Sequence, residues 1–184
     1  MIIYLFYTLN LLLLLSCLFA FRLKTGERRF SLSLVQSLLG LLLLAGEYIY
    51  LAYHPEPSVV TAVIFSESVF ALIWFNMAQR LRRATVAITT ESRLSSYIEI
   101  SIGMLVVGFV CYCLAYQPVV QMADDILIFD LYGPVYFYSI FILIAMLFAA
   151  WRLEEFWRAL TLAYRWEYKF LIVGSFLICG TLCW

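Results

Sequence analysis

The stretch SLSLVQSLLGLLLLAGEYIYLAYHPEPSVVTAVIFSESVFALIWFNMAQ, residues 31–79, decides the fold class. It holds two apolar runs, 31–53 and 59–79, and each is close to the ~20 residues that a helix needs to cross a bilayer. Between them Pro55 and Pro57 interrupt helical hydrogen bonding. The connection is too short for the chain to travel far. The two runs are therefore predicted to be antiparallel neighbouring helices.

The same pattern extends over the rest of the chain. Four more apolar runs are present, at 2–21, 98–116, 131–151 and 168–184. Hydrophobic residues make up 65% of the chain and charged residues only 13%, whereas soluble domains are about half apolar and about a quarter charged. Strands of a membrane barrel would be shorter and would alternate in polarity. The sequence predicts a single all-α domain, residues 1–184, built as a polytopic membrane bundle of about six helices.

The charged residues alternate between the five predicted loops. Three loops each carry four of the chain's 12 Lys and Arg residues. These are Arg22, Lys24, Arg28 and Arg29 in the first loop, Arg80, Arg82, Arg83 and Arg93 in the third, and Arg152, Arg158, Arg165 and Lys169 in the fifth. The second and fourth loops contain none. By the positive-inside rule the basic loops are cytoplasmic, which places the N-terminus and Trp184 outside.

The fifth loop has an amphipathic pattern of its own. Leu153, Phe156, Trp157 and Leu160 recur at the spacing of one helix face, and charged residues lie mostly off that face. We predict a short amphipathic helix on the cytoplasmic surface before the last span. It is either a lever that passes a signal onward or an interfacial anchor.

Two carboxyl side chains lie inside apolar runs. Glu47 is six residues before the end of the second run, and Glu67 is eight residues into the third. At 1.5 Å per residue both lie roughly 9–12 Å below the outer surface. A carboxylate in lipid is costly, so such side chains face protein or water. A close pair could share a proton and form a proton- or cation-sensing site. Alternatively each is neutral and hydrogen-bonded to Tyr48, Ser66 or Ser68.

Catalytic, metal and cofactor chemistry find little support in the sequence. The single histidine, His54, lies beside a proline, and no nucleophile–histidine pair or nucleotide-binding loop can be assembled. Asp124, Asp125 and Asp130 lack a fixed ligand spacing and are read as a solvated acidic face. The five cysteines all lie in apolar runs, as small buried hydrophobes do. The expected partners are membrane lipid and other membrane chains or a second copy, without cofactor, metal or nucleic acid.

Residues 153–174 read LEEFWRALTLAYRWEYKFLIVG. This stretch resembles the N-terminal membrane region of PrsK-type sensor histidine kinases of exosortase/PEP-CTERM bacteria. The shared positions, at the same spacing, are Glu154, Trp157, Arg158, Arg165, Trp166, Lys169 and Gly174. The resemblance covers this stretch closely, and the remainder of the chain matches only in hydropathy. The family has polar, turn-like residues at 159–164, whereas the apolar residues here predict that the surface helix continues into the last span.

The resemblance implies the input region of a two-component system in the bacterial inner membrane. The chain has no kinase core and is not expected to be an enzyme. Because six crossings leave Trp184 outside, a cytoplasmic kinase would need a further span. The chain is then either a piece of a longer sensor or a short homologue that keeps only the membrane part. Two other functions stay open: a structural or accessory subunit of a membrane complex, and a small proton-coupled transporter using Glu47 and Glu67.

Overall fold

The computed structural model describes residues 2–22, 27–85, 120–123, 126–129 and 134–183, with side chains for 2–16, 32–82, 136–162 and 164–181. This part of the chain forms five helices: α1 (Ile2–Arg22), α2 (Glu27–Tyr53), α3 (Pro57–Thr85), α4 (Pro134–Ala159) and α5 (Leu162–Cys183). Two short strands, β1 (Val120–Ala123) and β2 (Ile126–Phe129), lie between α3 and α4.

Three of the described helices are long and apolar enough to cross a membrane. They contain the segments Leu32–Tyr53, Pro57–Arg82 and Tyr136–Ala159, and α1 contributes a shorter apolar stretch, Ile2–Ser16. The prediction of a helical chain with long apolar segments is confirmed at this level, and these segments are compatible with a membrane protein. The predicted span 98–116 lies outside the described residues. The count of six spans and their orientation stay predictions.

Helix α3 is the centre of the bundle. It packs against α1, α2 and α4, and α5 packs against α4. The apolar segment of α3 is 89% buried, compared with 33% for that of α2 and 28% for that of α4. Because α3 is covered on nearly all sides, polar side chains along it face other helices instead of lipid. Polar residues of α3 are therefore the natural places for contacts between helices.

The α2–α3 connection is as tight as the prolines predict. The His54 N–H donates to the Tyr50 carbonyl at 2.9 Å and ends α2. Pro57 is the first residue of α3, where its missing N–H costs nothing. Farther along the pair, a Cβ added to Gly40 of α2 would lie 3.2 Å from Cδ2 of Phe70. Glycine thus lets the Phe70 ring approach the α2 backbone.

The structure adds a short β-hairpin to the helical fold, in the segment predicted as the fourth loop. Strands β1 and β2 pair antiparallel, with Val120 opposite Phe129 and Ala123 opposite Ile126. The strand segments are rich in β-branched and aromatic residues, which favour extended structure. The two residues between them are aspartates, which favour turns. The sequence interpretation weighed only the charge of this segment and so missed the hairpin.

The short amphipathic helix predicted before the last span is not supported by the structure. Residues 153–159 continue α4 without a break, because no Gly or Pro interrupts the segment and i,i+3 and i,i+4 ion pairs support the helix. Leu153, Phe156 and Leu160 are buried in the protein core. The apolar stripe therefore packs against protein.

The predicted continuation of the surface helix into the last span is likewise wrong. The chain leaves helical geometry at Leu160 and Thr161, and α5 begins at Leu162. The Thr161 carbonyl accepts the Arg165 N–H at 3.0 Å, which makes Thr161 the N-cap of α5. Threonine is a favourable residue at that position. This capping preference outweighs the apolar character of residues 159–164.

Candidate functional site

A buried polar centre joins the three N-terminal helices. Glu47 of α2 is fully buried, with 0% of its surface exposed. Asn10 Nδ2 of α1 donates to Glu47 Oε1 at 3.0 Å and approaches Ser66 Oγ of α3 at 2.5 Å. We call Asn10, Glu47 and Ser66 the Glu47 centre. Each of α1, α2 and α3 contributes one side chain, so the centre depends on all three helices being packed together.

One oxygen of the Glu47 carboxyl is not satisfied by the protein. Within the described part of the chain, Oε2 is buried and has no hydrogen-bond partner. Ser66 Oγ donates to the Ala62 carbonyl of its own helix at 3.0 Å and also lies within hydrogen-bonding reach of the Glu47 carboxyl. None of the ion pairs among the described residues involves Glu47. A carboxylate in this position lacks a counter-charge, which raises the free energy of the packed state. Binding of a proton or a cation would remove this cost.

Glu67 has a different partner. The Tyr48 hydroxyl of α2 donates to Glu67 Oε1. Glu67 is buried, whereas Tyr48 is 44% exposed on the bundle surface. The two carboxyls interact electrostatically, but each has its own hydrogen-bond donor. The structure thus places Glu47 and Glu67 in one region. Neither accepts a hydrogen bond from Ser68, which donates to the Ile64 carbonyl.

Asn10 is the site residue that the sequence analysis missed. It is buried in a helix whose other described residues are mostly exposed and apolar. The available signal was a lone amide within the run 2–21. An amide in a span commonly bonds to another helix. The run is apolar on every side, however, so periodicity alone does not show which residues face α2 and α3.

A second polar contact joins α1 and α2 farther from the His54 loop. Gln36 is buried, and its Nε2 donates to Ser16 Oγ at 3.1 Å. Its Oε1 is buried without a hydrogen-bond partner among the described residues. We call Ser16 and Gln36 the Gln36 centre. Among the described side chains, α1 is therefore attached to α2 by the two polar contacts Asn10–Glu47 and Ser16–Gln36.

The residues on which the predicted resemblance rests lie around the α4–α5 turn and pair with one another. Arg158 Nη2 donates to Glu154 Oε1 at 2.6 Å. The Arg165 guanidinium lies 5.9 Å from the centre of the Trp157 ring, and its Nε donates to the Leu160 carbonyl at 3.1 Å. Arg165 therefore caps the C-terminus of α4, as basic side chains do at helix ends.

The remaining shared positions lie on α5. The Lys169 ammonium is 5.0 Å from the centre of the Trp166 ring, and Trp166 is 73% exposed. A Cβ added to Gly174 would meet nothing within 4 Å. The structure thus explains the basic and aromatic positions as local pairs, whereas packing does not explain the glycine.

No metal-ligand cluster is present among the described side chains: no group of three His, Cys, Asp or Glu residues could hold an ion there. The predicted acidic residues Asp124, Asp125 and Asp130 lie outside the described part. No protein-family model matches the chain, and neither curated proteins nor solved structures give a match. The resemblance to sensor kinases stays a prediction, and the function is inferred from the geometry of the Glu47 centre.

Proposed function

We propose that this chain is a membrane-embedded input module, in which the Glu47 centre binds a proton or a cation and thereby sets the packing of α1 on α2 and α3. The observation that carries this proposal is the hydrogen bond from Asn10 to Glu47 across helices, beside a Glu47 oxygen with no described partner. A contact that joins helices through a titratable group makes packing depend on the charge of that group.

Two opposing effects decide how proton binding acts on the packing of α1. A hydrogen bond to an ionised group contributes about 1.5–3 kcal/mol, and a neutral one about 0.5–1.5 kcal/mol, so proton binding at Glu47 weakens the Asn10 contact by about 1 kcal/mol. Proton binding also removes the larger cost of a buried carboxylate that lacks a counter-charge, and it therefore favours the docked position of α1. A bound cation would supply the missing counter-charge and act in the same direction.

An ion pair offers a route from this centre to the α4–α5 turn. Arg82 Nε near the end of α3 lies 2.6 Å from Glu155 Oε2 of α4. Arg152 Nη1 reaches the same oxygen at 2.9 Å. A displacement of α3 would therefore move the end of α4 and the turn that carries the shared motif. In this proposal the turn passes the change to the output part of a two-component system.

The number and the orientation of the membrane spans are part of the same proposal. We infer about six spans, with the N-terminus outside and the basic loops inside a bacterial inner membrane. The alternation of basic and acidic loops supports this arrangement, together with the three long apolar helices. The resemblance at residues 153–174 supports a place in envelope signalling of the exosortase/PEP-CTERM kind.

A distance measurement tests the proposal. Spin labels would be placed at Leu12 of α1 and Leu42 of α2, which are both exposed on the bundle surface, in a chain whose native cysteines are replaced. The labelled protein in lipid nanodiscs should show a distance distribution that shifts between acidic and alkaline pH. Glu47→Gln should remove the shift, and the matched control Glu56→Gln, in the exposed loop, should keep it. A distribution independent of pH, or a shift that survives Glu47→Gln, would refute the proposal.

A structural or accessory subunit is the second candidate, and the outer surface of α4 and α5 favours it. Large apolar side chains are exposed there, among them Phe137, Trp151, Trp166 and Phe170. Such a surface faces either lipid or another membrane chain. Purification in mild detergent separates the two functions. A partner present in fixed ratio would support the subunit, whereas kinase-core peptides in the same polypeptide would support the input module.

A further inference from the structure

The two polar centres lie on the same face of α2. Gln36, Gly40, Leu44 and Glu47 follow one another at helical spacing, and all four are buried. Eleven residues separate Gln36 from Glu47, which corresponds to about 16 Å along the helix axis. The centres are therefore stacked along the bundle, one nearer the His54 loop and one nearer the arginines of α3.

Each centre has an oxygen that calls for a hydrogen-bond donor. Glu47 Oε2 and Gln36 Oε1 are buried and have no partner within the described residues. A buried acceptor without a donor destabilises the folded protein. Proteins commonly satisfy such groups with an ordered water molecule. Water bound at both atoms would give each centre a carrier for protons.

An apolar layer separates the two centres. Phe70 of α3 lies against Gly40, with its Cδ2 3.2 Å from the position of an added Cβ, and Ile73 Cδ1 lies at 3.8 Å from that position. Phe70, Ile73 and Leu44 are all buried. We call Gly40, Leu44, Phe70 and Ile73 the Phe70 layer. None of its four residues has a polar side-chain atom that could relay a proton.

We propose that the two centres are water-binding sites of one proton path between α1, α2 and α3, and that the Phe70 layer keeps this path closed. The inference rests on the proposed function, because it assigns proton binding to Glu47. Apolar constrictions stop conduction by excluding water. When the layer opens, each transfer breaks one O–H bond as it forms the next, so no oxidant or reductant is required.

Proton flux through the full chain in liposomes tests the path. The vesicles would contain a pH-sensitive dye, and a potassium gradient with valinomycin would supply the driving force. The wild-type protein should be closed, and Phe70→Ala should raise the rate of proton entry at least tenfold. The matched control is Phe156→Ala, because Phe156 is as buried as Phe70. The Phe156 ring packs against the ring of Tyr168, with 5.3 Å between the ring centres, so this contact lies between α4 and α5 and away from α2. Phe156→Ala should leave the vesicles closed.

The double variant decides whether the flux uses the proposed site. Phe70→Ala combined with Glu47→Gln should return to the wild-type rate, and Leu44→Ala serves as a second opening variant if Phe70→Ala does not fold. The proposal would be overturned if the opening variants fold but conduct no protons. It would also be overturned if Phe156→Ala conducts as fast as Phe70→Ala, or if adding Glu47→Gln to Phe70→Ala leaves the flux unchanged. The spin-label distances report the proposed function separately, since a packing response to pH does not require conduction.

Discussion

Replacing Asn10 by leucine should weaken the packing of α1 against α2 and α3 and so lower the free energy of unfolding. The change keeps the approximate size of the side chain and removes the amide that reaches Glu47 and Ser66. Hydrogen bonds between helices in membranes contribute about 0.6 kcal/mol on average and up to about 1.7 kcal/mol. Two such contacts correspond to a loss of about 1–3 kcal/mol in the free energy of unfolding, which reversible unfolding in mixed micelles can measure.

Thr8 provides the matched control on the same helix. Within the described part of the chain its hydroxyl donates to the Leu5 carbonyl of α1 alone, at 2.8 Å, so Thr8→Val should change the free energy of unfolding by less than about 0.5 kcal/mol. A double-mutant cycle of Asn10→Leu with Glu47→Leu should give a coupling energy of about 1 kcal/mol. The reasoning is refuted if Asn10→Leu costs no more than Thr8→Val, or if the coupling energy is zero.

Two further predictions concern packing and the α3–α4 ion pairs. Gly40→Val should lower the free energy of unfolding by about 1–3 kcal/mol, because the added side chain forces the Phe70 ring away. Gly46→Val should be nearly neutral, because an added Cβ there meets nothing within 4 Å. Equal free energies of unfolding for the two variants would contradict the packing described. Glu155→Gln removes two ion pairs with arginines of α3 and α4 and should lower the free energy of unfolding by about 0.5–1.5 kcal/mol. The control Glu154→Gln should lower it by less than about 0.5 kcal/mol, because the described ion pair of Glu154 is solvent-exposed. Thermal unfolding of the two glutamine variants in parallel compares them, and an unchanged Glu155→Gln would mean that the pairs do not link the helices.

The helices were predictable from sequence where chemistry marks their ends. Pro55 and Pro57 separate α2 from α3, and the end of α2 at Tyr53 agrees with the prediction. The end of α4 was not predictable in the same way, because no proline or glycine marks it between Trp151 and Leu160. Its position depends on a threonine cap and on the packing of Phe156 in the core.

The Glu47 centre was predictable only in part. Two glutamates in apolar runs were conspicuous because charges are rare there. The donor Asn10 was not, because α1 is apolar on all sides and its rotation about its own axis is fixed only by contacts with α2 and α3. Glu47 takes its donor from α1, whereas Glu67 takes its donor, Tyr48, from α2. Depth along a helix can be read from spacing, whereas pairing across helices requires the packed structure.

The most direct test of the central claim is an infrared pH titration of the protein in lipid nanodiscs. A protonated carboxyl gives a carbonyl-stretch band that is separate from the bands of carboxylates and amides. The other Asp and Glu side chains also give such bands, so the prediction concerns difference spectra between variants. The spectrum of the wild type minus that of Glu47→Gln should contain a pH-dependent band of a buried carboxyl, which Glu56→Gln should retain. A titration that is identical in wild type and Glu47→Gln would show that Glu47 does not exchange a proton, and would contradict the role assigned to this centre.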